Sequence, residues 1–368
     1  MGQHVFRIDV TSYRGITNFT IDDLADINII VGENNCGKTS LLEAIQILNK
    51  PYDFGNIVMV SRLRDKIRML SPKYTQSQYS SFMNIFNKSK EELMISLHCK
   101  ILNKDIDLSL EGEVNDSLIS ESQLAELQRV GSGGKFIPAV DEEVRTFFGR
   151  LIVRGKLLLP VSSSENVMLN KYSRIIRSNN SKALAPINYL SPIDHAVIDR
   201  FNEITRTKNL RENVIRILQS AFDTNIQDLR TVEDDDGRTL RMIEHRILGD
   251  MPLSTYGDGI KKVIALANAA ASVKDGILLV DEYETAIHPK AMDQVFRFLI
   301  NVCKERNIQL FMTTHSAEAL DKMLQCADSS ADMRVITMFK NNNNTTARVL
   351  DGNKALSVKN ELGLELRQ

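Results

Sequence analysis

The sequence predicts an α/β fold in which a mixed β-sheet and a parallel sheet flanked by helices are interrupted by an α-helical insertion. Three observations carry this expectation. A short apolar strand runs into a glycine-containing loop and then a helix over residues 27–48. The final third alternates helical and strand patterns, the rhythm of a parallel sheet. Between them, residues 112–182 are rich in Ser, Asn and charge, with Gly131-Ser132-Gly133-Gly134 as a flexible break. The expected divisions are an amino-terminal lobe over 1–111, the insertion over 112–230 and a carboxy-terminal lobe over 231–368.

In chain order, His4 to Val10, Gly15 to Ile21 and Asp26 to Val31 read as three strands, punctuated by Tyr13-Arg14-Gly15 and Asp22-Asp23. Ser40 to Leu48 places apolar residues at helical spacing and stops before Pro51. Residues 52 to about 90 read as irregular and polar. Leu93 to Ile101 and Ile106 to Leu110 alternate as a hairpin around Asn103-Lys104-Asp105. Asp141 to Phe148 reads as a short helix and Ile187 to Leu190 as a buried strand. Asp194 to about Phe222 reads as a helix with Ile204, Leu210, Val214, Ile215 and Leu218 apolar among charges. A hairpin turn is expected at Asp235-Asp236-Gly237. Helices near 258–273, 289–305 and 317–326 then alternate with strands 276–281, 308–313 and 333–339, and a polar tail follows. No internal repeat or heptad array is visible.

With 368 residues, 43% of them hydrophobic, the chain can bury one large core or two modest ones without disulfides or metals. Cys36, Cys99, Cys303 and Cys326 are scattered without metal-ligand spacing, which suits reduced thiols in the cytoplasm. No apolar run is long enough to span a bilayer, and the start lacks the pattern of a signal peptide. A formal net charge of -1 gives no overall pull toward nucleic acid.

Four motifs carry chemistry. Gly32-Glu33-Asn34-Asn35-Cys36-Gly37-Lys38-Thr39 fits GxxxxGK[ST]. Its glycines let backbone N–H groups face phosphates, Lys38 reaches the β and γ oxygens, and the Thr39 hydroxyl ligates Mg2+. Gly32, Asn34, Asn35, Cys36, Gly37, Lys38, Thr39 and Ser40 are therefore the expected ATP-binding residues. Gly276-Ile277-Leu278-Leu279-Val280-Asp281-Glu282 is an apolar strand ending in two carboxylates, with Asp281 expected on the metal and Glu282 as the base that polarises water. Phe311-Met312-Thr313-Thr314-His315-Ser316 ends another apolar strand, placing His315 beside Glu282 as a sensor of the γ-phosphate. Finally, Leu253-Ser254-Thr255-Tyr256-Gly257-Asp258-Gly259 precedes an apolar helix, so Ser254, Gly257 and Gly259 form a helix-start anion site that would cap a γ-phosphate bound to another copy of the chain.

Taken together, these motifs resemble the phosphate loop, signature, acidic motif and switch histidine of ABC-type ATPase heads. Tyr13-Arg14-Gly15 followed by Asn34 to Ala44 is similar to the SMC, RecF and OLD branch, and Asp281-Glu282-Tyr283-Glu284-Thr285-Ala286-Ile287-His288-Pro289 to OLD-like ATPases. The resemblance implies ATP-gated homodimers or higher oligomers and roles in antiphage defence or DNA metabolism. The signature departs from LSGGQ, since Thr255-Tyr256 separates Ser254 from Gly257-Asp258-Gly259, which leaves open which group touches the γ-phosphate. The roughly fifty residues after His315-Ser316 leave no room for the Toprim nuclease of OLD proteins. The implied function is thus an ATP-driven switch controlling a separately encoded effector, a nuclease or toxin. The alternative is a RecF-like DNA-binding clamp in repair; a transporter subunit fits the opening strands and the insertion less well.

Two surfaces remain open on sequence grounds. Arg150, Arg154, Lys156, Lys171, Arg174, Arg177 and Lys182 stand against Glu165 alone between 150 and 182. They form either a nucleic-acid or acidic-partner contact or a solvated face. Tyr13 and Arg14 either stack on adenine and contact phosphate or form a turn with a solvated arginine.

Overall fold

The computed structural model describes residues 4–65, 77–102, 104–118, 143–157, 159–160, 163–173, 175, 182–197, 204, 206, 208–234, 236–237, 239–326, 332–341 and 344–362. The chain divides into two compact units, one of Met1–Arg7, Thr20–Leu42 and Ala185–Gln368, the other of Ile8–Phe19 and Glu43–Leu184.

Along the chain, β1 (Val5–Tyr13), β2 (Ile16–Ile21) and β3 (Ile27–Gly32) lead into α1 (Lys38–Ile47), α2 (Phe54–Ser61) and α3 (Gln78–Met83). Strands β4 (Leu93–Ile101), β5 (Lys104–Leu118), β6 (Glu143–Leu157), β7 (Leu159–Pro160), β8 (Ser163–Asn170) and β9 (Ile187–Leu190) follow, then α4 (Lys208–Ala221). Next come β10 (Ile226–Glu233), β11 (Thr239–His245), β12 (Gly249–Pro252), α5 (Asp258–Ala271), β13 (Gly276–Val280) and α6 (Pro289–Glu305). The chain continues with β14 (Ile308–Thr313), α7 (Ala317–Cys326), β15 (Met333–Asn341), β16 (Asn344–Asp351) and α8 (Gly352–Leu362). The α/β expectation holds: three sheets are flanked by helices.

The first unit is built on a six-stranded sheet in the order β16-β15-β3-β14-β13-β9. β15, β3, β14, β13 and β9 run parallel, and β16 closes one edge antiparallel to β15. β3, β13 and β14 are buried at every residue, as apolar parallel strands covered on both faces must be. Ile29, Val31, Leu278, Val280, Leu310 and Met312 join Val295, Phe296 and Leu299 of α6 in one core. Gln309 is a buried polar residue of β14, and it is fully used. Its side chain donates to the carbonyls of Val5 and Ala25 at 2.9 and 2.8 Å, and accepts from the N–H groups of His4 and Val5. The register levels the carboxyl ends of the strands: Val280 pairs with Met312 and with Leu190, and Thr313 with Ile30. β10, β11 and β12 form a separate antiparallel sheet.

The second unit carries the sheet in the order β2-β1-β4-β5-β6-β7, with β8 also paired to β6. Phe82 is its hub, with edge-on ring contacts to Phe54, Phe86 and Phe147 at centroid distances of 5.4, 5.3 and 5.0 Å.

Three expectations require correction. The insertion over 112–230 is not helical through its first half: β5, β6 and β8 are strands, and Glu143 to Phe148, expected as helix, opens β6. Beyond Glu111 the β5 side chains are half-buried or exposed, so their polar alternation imitates a loop, and it is pairing with β6 from Ile106↔Gly155 to Leu118↔Glu143 that makes the strand. Of the helix expected over Asp194 to about Phe222, Lys208–Ala221 is α4, while Asp194–Val197 forms a 3-10 turn. Among the described residues of 52 to about 90, expected as irregular, Phe54–Ser61 forms α2, buried on almost all sides and hence without a readable period, and Gln78–Met83 forms α3. The tail forms β16 and α8. The expected break at Gly131 to Gly134 lies outside the described residues.

Candidate functional site

The carboxyl ends of β3, β14, β13 and β9 form one edge, and every charged group of the site stands on it. Asp281, 4% exposed, is reached from three sides: Thr39 Oγ1 at 2.9 Å, Thr313 Oγ1 at 2.5 Å and Tyr189 OH at 3.1 Å all donate to its carboxylate. Thr313 Oγ1 also accepts the Glu282 N–H at 2.8 Å. Glu282 is held in the left-handed region at φ 45, a conformation that costs a non-glycine residue about 1–2 kcal/mol. Its carboxylate is 43% exposed, whereas that of Glu284 is 8% exposed. His315 lies as expected beside Glu282, with Nδ1 at 3.8 Å from Glu282 Oε1 and 3.6 Å from Glu284 Oε1. Glu284 accepts from Thr314 Oγ1 at 2.7 Å and from the His315 N–H at 3.4 Å, so it anchors the turn that carries the histidine.

The phosphate loop has the backbone its sequence implies. Gly32 (φ 141), Asn35 (φ 66) and Gly37 (φ 108) take positive φ. A Cβ at Gly32 would stand 2.4 Å from the carbonyl oxygen of Met338, so glycine is required for space as well as for φ. Lys38 opens α1 and its ammonium folds back over the loop, donating to the carbonyls of Gly32 and Glu33 at 2.8 and 2.9 Å. Burial raises the pKa of the Cys36 thiol within the same loop. Ser40 is buried in the first turn of α1.

Gly257 is the N-cap of α5, and no side chain caps it, so the exposed first turn keeps its N–H groups free of a side-chain acceptor at that position. Ser254 lies in the preceding 3-10 turn, Leu253–Thr255, and is exposed. Gly257 has open space where a Cβ would be, while at Gly259 a Cβ would meet Phe222 at 2.8 Å and the Ala286 carbonyl at 3.2 Å. Asp258 in that turn is paired with Lys261 Nζ at 3.3 Å.

The donors at the edge fit a small hard cation. One carboxylate and one hydroxyl, Asp281 and Thr39, already meet, and Mg2+ binds through one or two protein oxygens with phosphates and water filling its octahedron. Among the described residues no cluster of three His, Cys, Asp or Glu forms a self-sufficient metal cage.

Sequence reading missed Thr313, Tyr189 and the anchoring part of Glu284. Thr313 could have been found from strand alignment, because it ends β14 level with the start of the acidic pair. His288, noted for its spacing from Glu284, caps α6 by accepting the Lys290 N–H on Nδ1 at 3.2 Å. Tyr13 and Arg14 resolve as structural. Tyr13 is fully buried, and Arg14 Nε donates to the fully buried carboxylate of Glu43 at 2.6 Å, a carboxylate shared with Arg64 Nε at 2.7 Å. In the β5–β6 register Arg150 stands opposite Glu111 and Arg154 opposite Asp107, so two of the basic residues have a carboxylate residue across from them. Lys171 stands 4.7 Å from the ring of Tyr172. Arg174 and Arg177 lie outside the described residues, and no helix among the described residues is long and apolar enough to cross a membrane.

The family model described as "AAA domain, putative AbiEii toxin, Type IV TA system" matches residues 27–321. The chain belongs to this AAA-domain family. It is an ATPase. This AAA-domain chain is 25% identical over 330 residues to a Helicobacter pylori protein named ATP/GTP phosphatase, covering 85% of this chain and 86% of that one. It is 26% identical over 174 residues, 47% of each chain, to the methionine import ATP-binding protein MetN of Latilactobacillus sakei. Among solved structures, the SmcHead bound to the C-winged helix domain of ScpA matches with a TM-score of 0.46 and 15% identity, over 96% of this chain and 100% of that one.

Proposed function

We propose that the protein is an OLD-like ATPase switch of an antiphage defence system, which hydrolyses ATP with Mg2+ as a dimer and controls a separately encoded effector such as a nuclease or toxin. The observation that carries the reading is the convergence of Thr39, Asp281, Thr313, Glu282 and His315 on one sheet edge. Lys38 and the loop N–H groups of Gly32, Asn34, Asn35, Cys36, Gly37, Thr39 and Ser40 bind the phosphates. Thr39 and Asp281 hold the cation, which when bound neutralises charge on the phosphate oxygens. Glu282, exposed and adjacent, orients and deprotonates the attacking water, while His315 senses the γ-phosphate.

The exposed N-terminus of α5, with Gly257, Gly259 and the nearby Ser254, caps the γ-phosphate held by a second copy. The open space beside Gly257 supports an intermolecular contact, and Lys261 draws off part of the Asp258 charge that would oppose an anion there. The family description, which names a putative toxin of a type IV TA system, supports a place for the ATPase in a defence system.

Glu282→Gln tests both parts of the reading. This variant should bind ATP, lose turnover and accumulate as a dimer by light scattering after gel filtration; a monomer at saturating ATP defeats the two-copy site. Purification of the tagged chain with its chromosomal neighbours co-expressed should retain an effector. Salt-sensitive binding to duplex DNA by the chain alone, with no retained partner, would favour the clamp reading instead.

A further inference from the structure

Lys262 lies on α5 one turn beyond its N-cap Gly257, has no exposed surface, and its Nζ has no hydrogen-bond partner among the described residues. The 3-10 turn Asp194–Val197 packs against α5, and β9 does so as well. Three more buried polar atoms at this end of the sheet lack partners among the described residues: Ser191 Oγ just after β9, His195 Nδ1 in that turn, and Glu284 Oε2. The carboxylates acting on the ammonium are Asp194, Glu284, Asp281 and Glu282, and the ammonium in turn acts on His195. Val263, Ile264, Leu266 and Ala267 beside it on α5 are apolar and buried, so a leucine or methionine would fill the position at no desolvation cost. A cation kept buried here acts electrostatically on the acidic edge.

We propose that Lys262 is a positioning residue whose buried positive charge offsets Asp281, Glu282 and Glu284 and so sets how tightly the edge holds a divalent cation with its nucleotide. The inference rests on Thr39 and Asp281 being the cation ligands, as read above. It also joins the two halves of the site on one chain, because the same helix that presents Gly257 to Gly259 carries the counter-charge of the acidic pair. Removing that positive charge from the surroundings of a divalent cation, in an effective dielectric of about 20, should tighten Mg2+ binding by about tenfold or more. A structural defect would do the reverse. The sign of the change therefore separates the two roles.

The experiment titrates MgCl2 against fluorescent mant-ADP bound to the full chain, with Tm measured on the metal-free protein. Lys262→Met and Lys262→Gln should half-saturate at Mg2+ lower by about tenfold or more than wild type, with no fall in Tm, while Lys262→Arg should stay near wild type. Equal or weaker Mg2+ binding in the two neutral variants, or an arginine variant indistinguishable from them, overturns the proposal. Asp281→Asn run alongside separates the two levels. If it keeps the wild-type Mg2+ dependence, the underlying reading of the site has failed. If it loses that dependence while the neutral lysine variants remain unchanged, the Lys262 inference alone has failed.

Discussion

Thr313→Val removes one hydroxyl and keeps the β-branched shape that suits the end of a buried strand. That hydroxyl accepts the Glu282 N–H at 2.8 Å and donates to Asp281 Oδ1 at 2.5 Å, so two interactions vanish together. An N–H left without an acceptor costs about 1–3 kcal/mol, and a hydrogen bond to a charged group contributes about 1.5–3 kcal/mol. Asp281 keeps its bonds from Thr39 and Tyr189, which places the second loss at the low end of its range. The sum is about 3 kcal/mol of stability, which should lower Tm by about 4 °C. Turnover should suffer more than stability. The anchor on the Glu282 N–H is of the same size as the cost of about 1–2 kcal/mol for its left-handed φ of 45, so without the anchor the residue is free to relax and carry its carboxylate away from the attacking water. A misplacement of about 1 Å is enough for a hundredfold loss. Phosphate release should therefore show kcat down about 100-fold with KM for ATP changed less than about threefold, because Lys38 and the loop are untouched. Thr313→Ser, which retains the hydroxyl, should recover most of the rate. A valine variant that hydrolyses ATP at the wild-type rate would refute the claim that Thr313 positions Glu282.

Gly32→Ala should abolish mant-ATP binding or prevent recovery of folded protein, because its Cβ would lie 2.4 Å from the Met338 carbonyl at a φ of 141; normal nucleotide affinity would contradict the loop geometry. Arg14→Ala strands the fully buried Glu43 with Arg64 alone and should cost about 3 kcal/mol in a urea melt, whereas Arg14→Lys should cost less. A change below about 0.5 kcal/mol, the usual range for a surface position, would show the ion triad to be dispensable. Burial pulls the Lys262 pKa down to about 8 against the neighbouring carboxylates, so between pH 8 and its ordinary value of 10.5 the unfolded chain holds the proton that the folded chain has released. Stability from this residue therefore rises with pH through that window, by at most about 3 kcal/mol, and the penalty is constant below it. The Tm of wild type should gain on that of Lys262→Met between pH 7.5 and about 10 if both are melted in parallel; parallel curves would show that the lysine is not desolvated.

What was legible in the sequence was whatever the parallel sheet controls. β3, β13 and β14 are apolar at nearly every position because both faces are covered, and each ends where its motif turns polar, so the strand, its end and the chemistry at the end were one signal. Glu282 and His315 could be placed side by side because one helix and one strand separate them, and the distance of 3.8 Å follows from that topology. β5 and β6 were misread for the opposite reason: where one side of a strand is half exposed, Ser, Asn and charged residues alternate with little apolar contrast, and only the partner strand distinguishes strand from loop. The same gap hid the pairing of Arg150 with Glu111. Thr313 was hidden by chemistry, since threonine is an ordinary strand residue until a carboxylate arrives from the next strand. Lys262 was hidden by burial, because a lysine following Lys261 near a helix start reads as solvated. The motif residues proposed to bind the nucleotide repeat a known spacing, whereas the residues that hold those motifs in place are supplied by neighbouring strands and become visible only once the register is known. Substitutions at Thr313 and Lys262 are therefore the ones that separate a correct motif assignment from a correct account of how the site works.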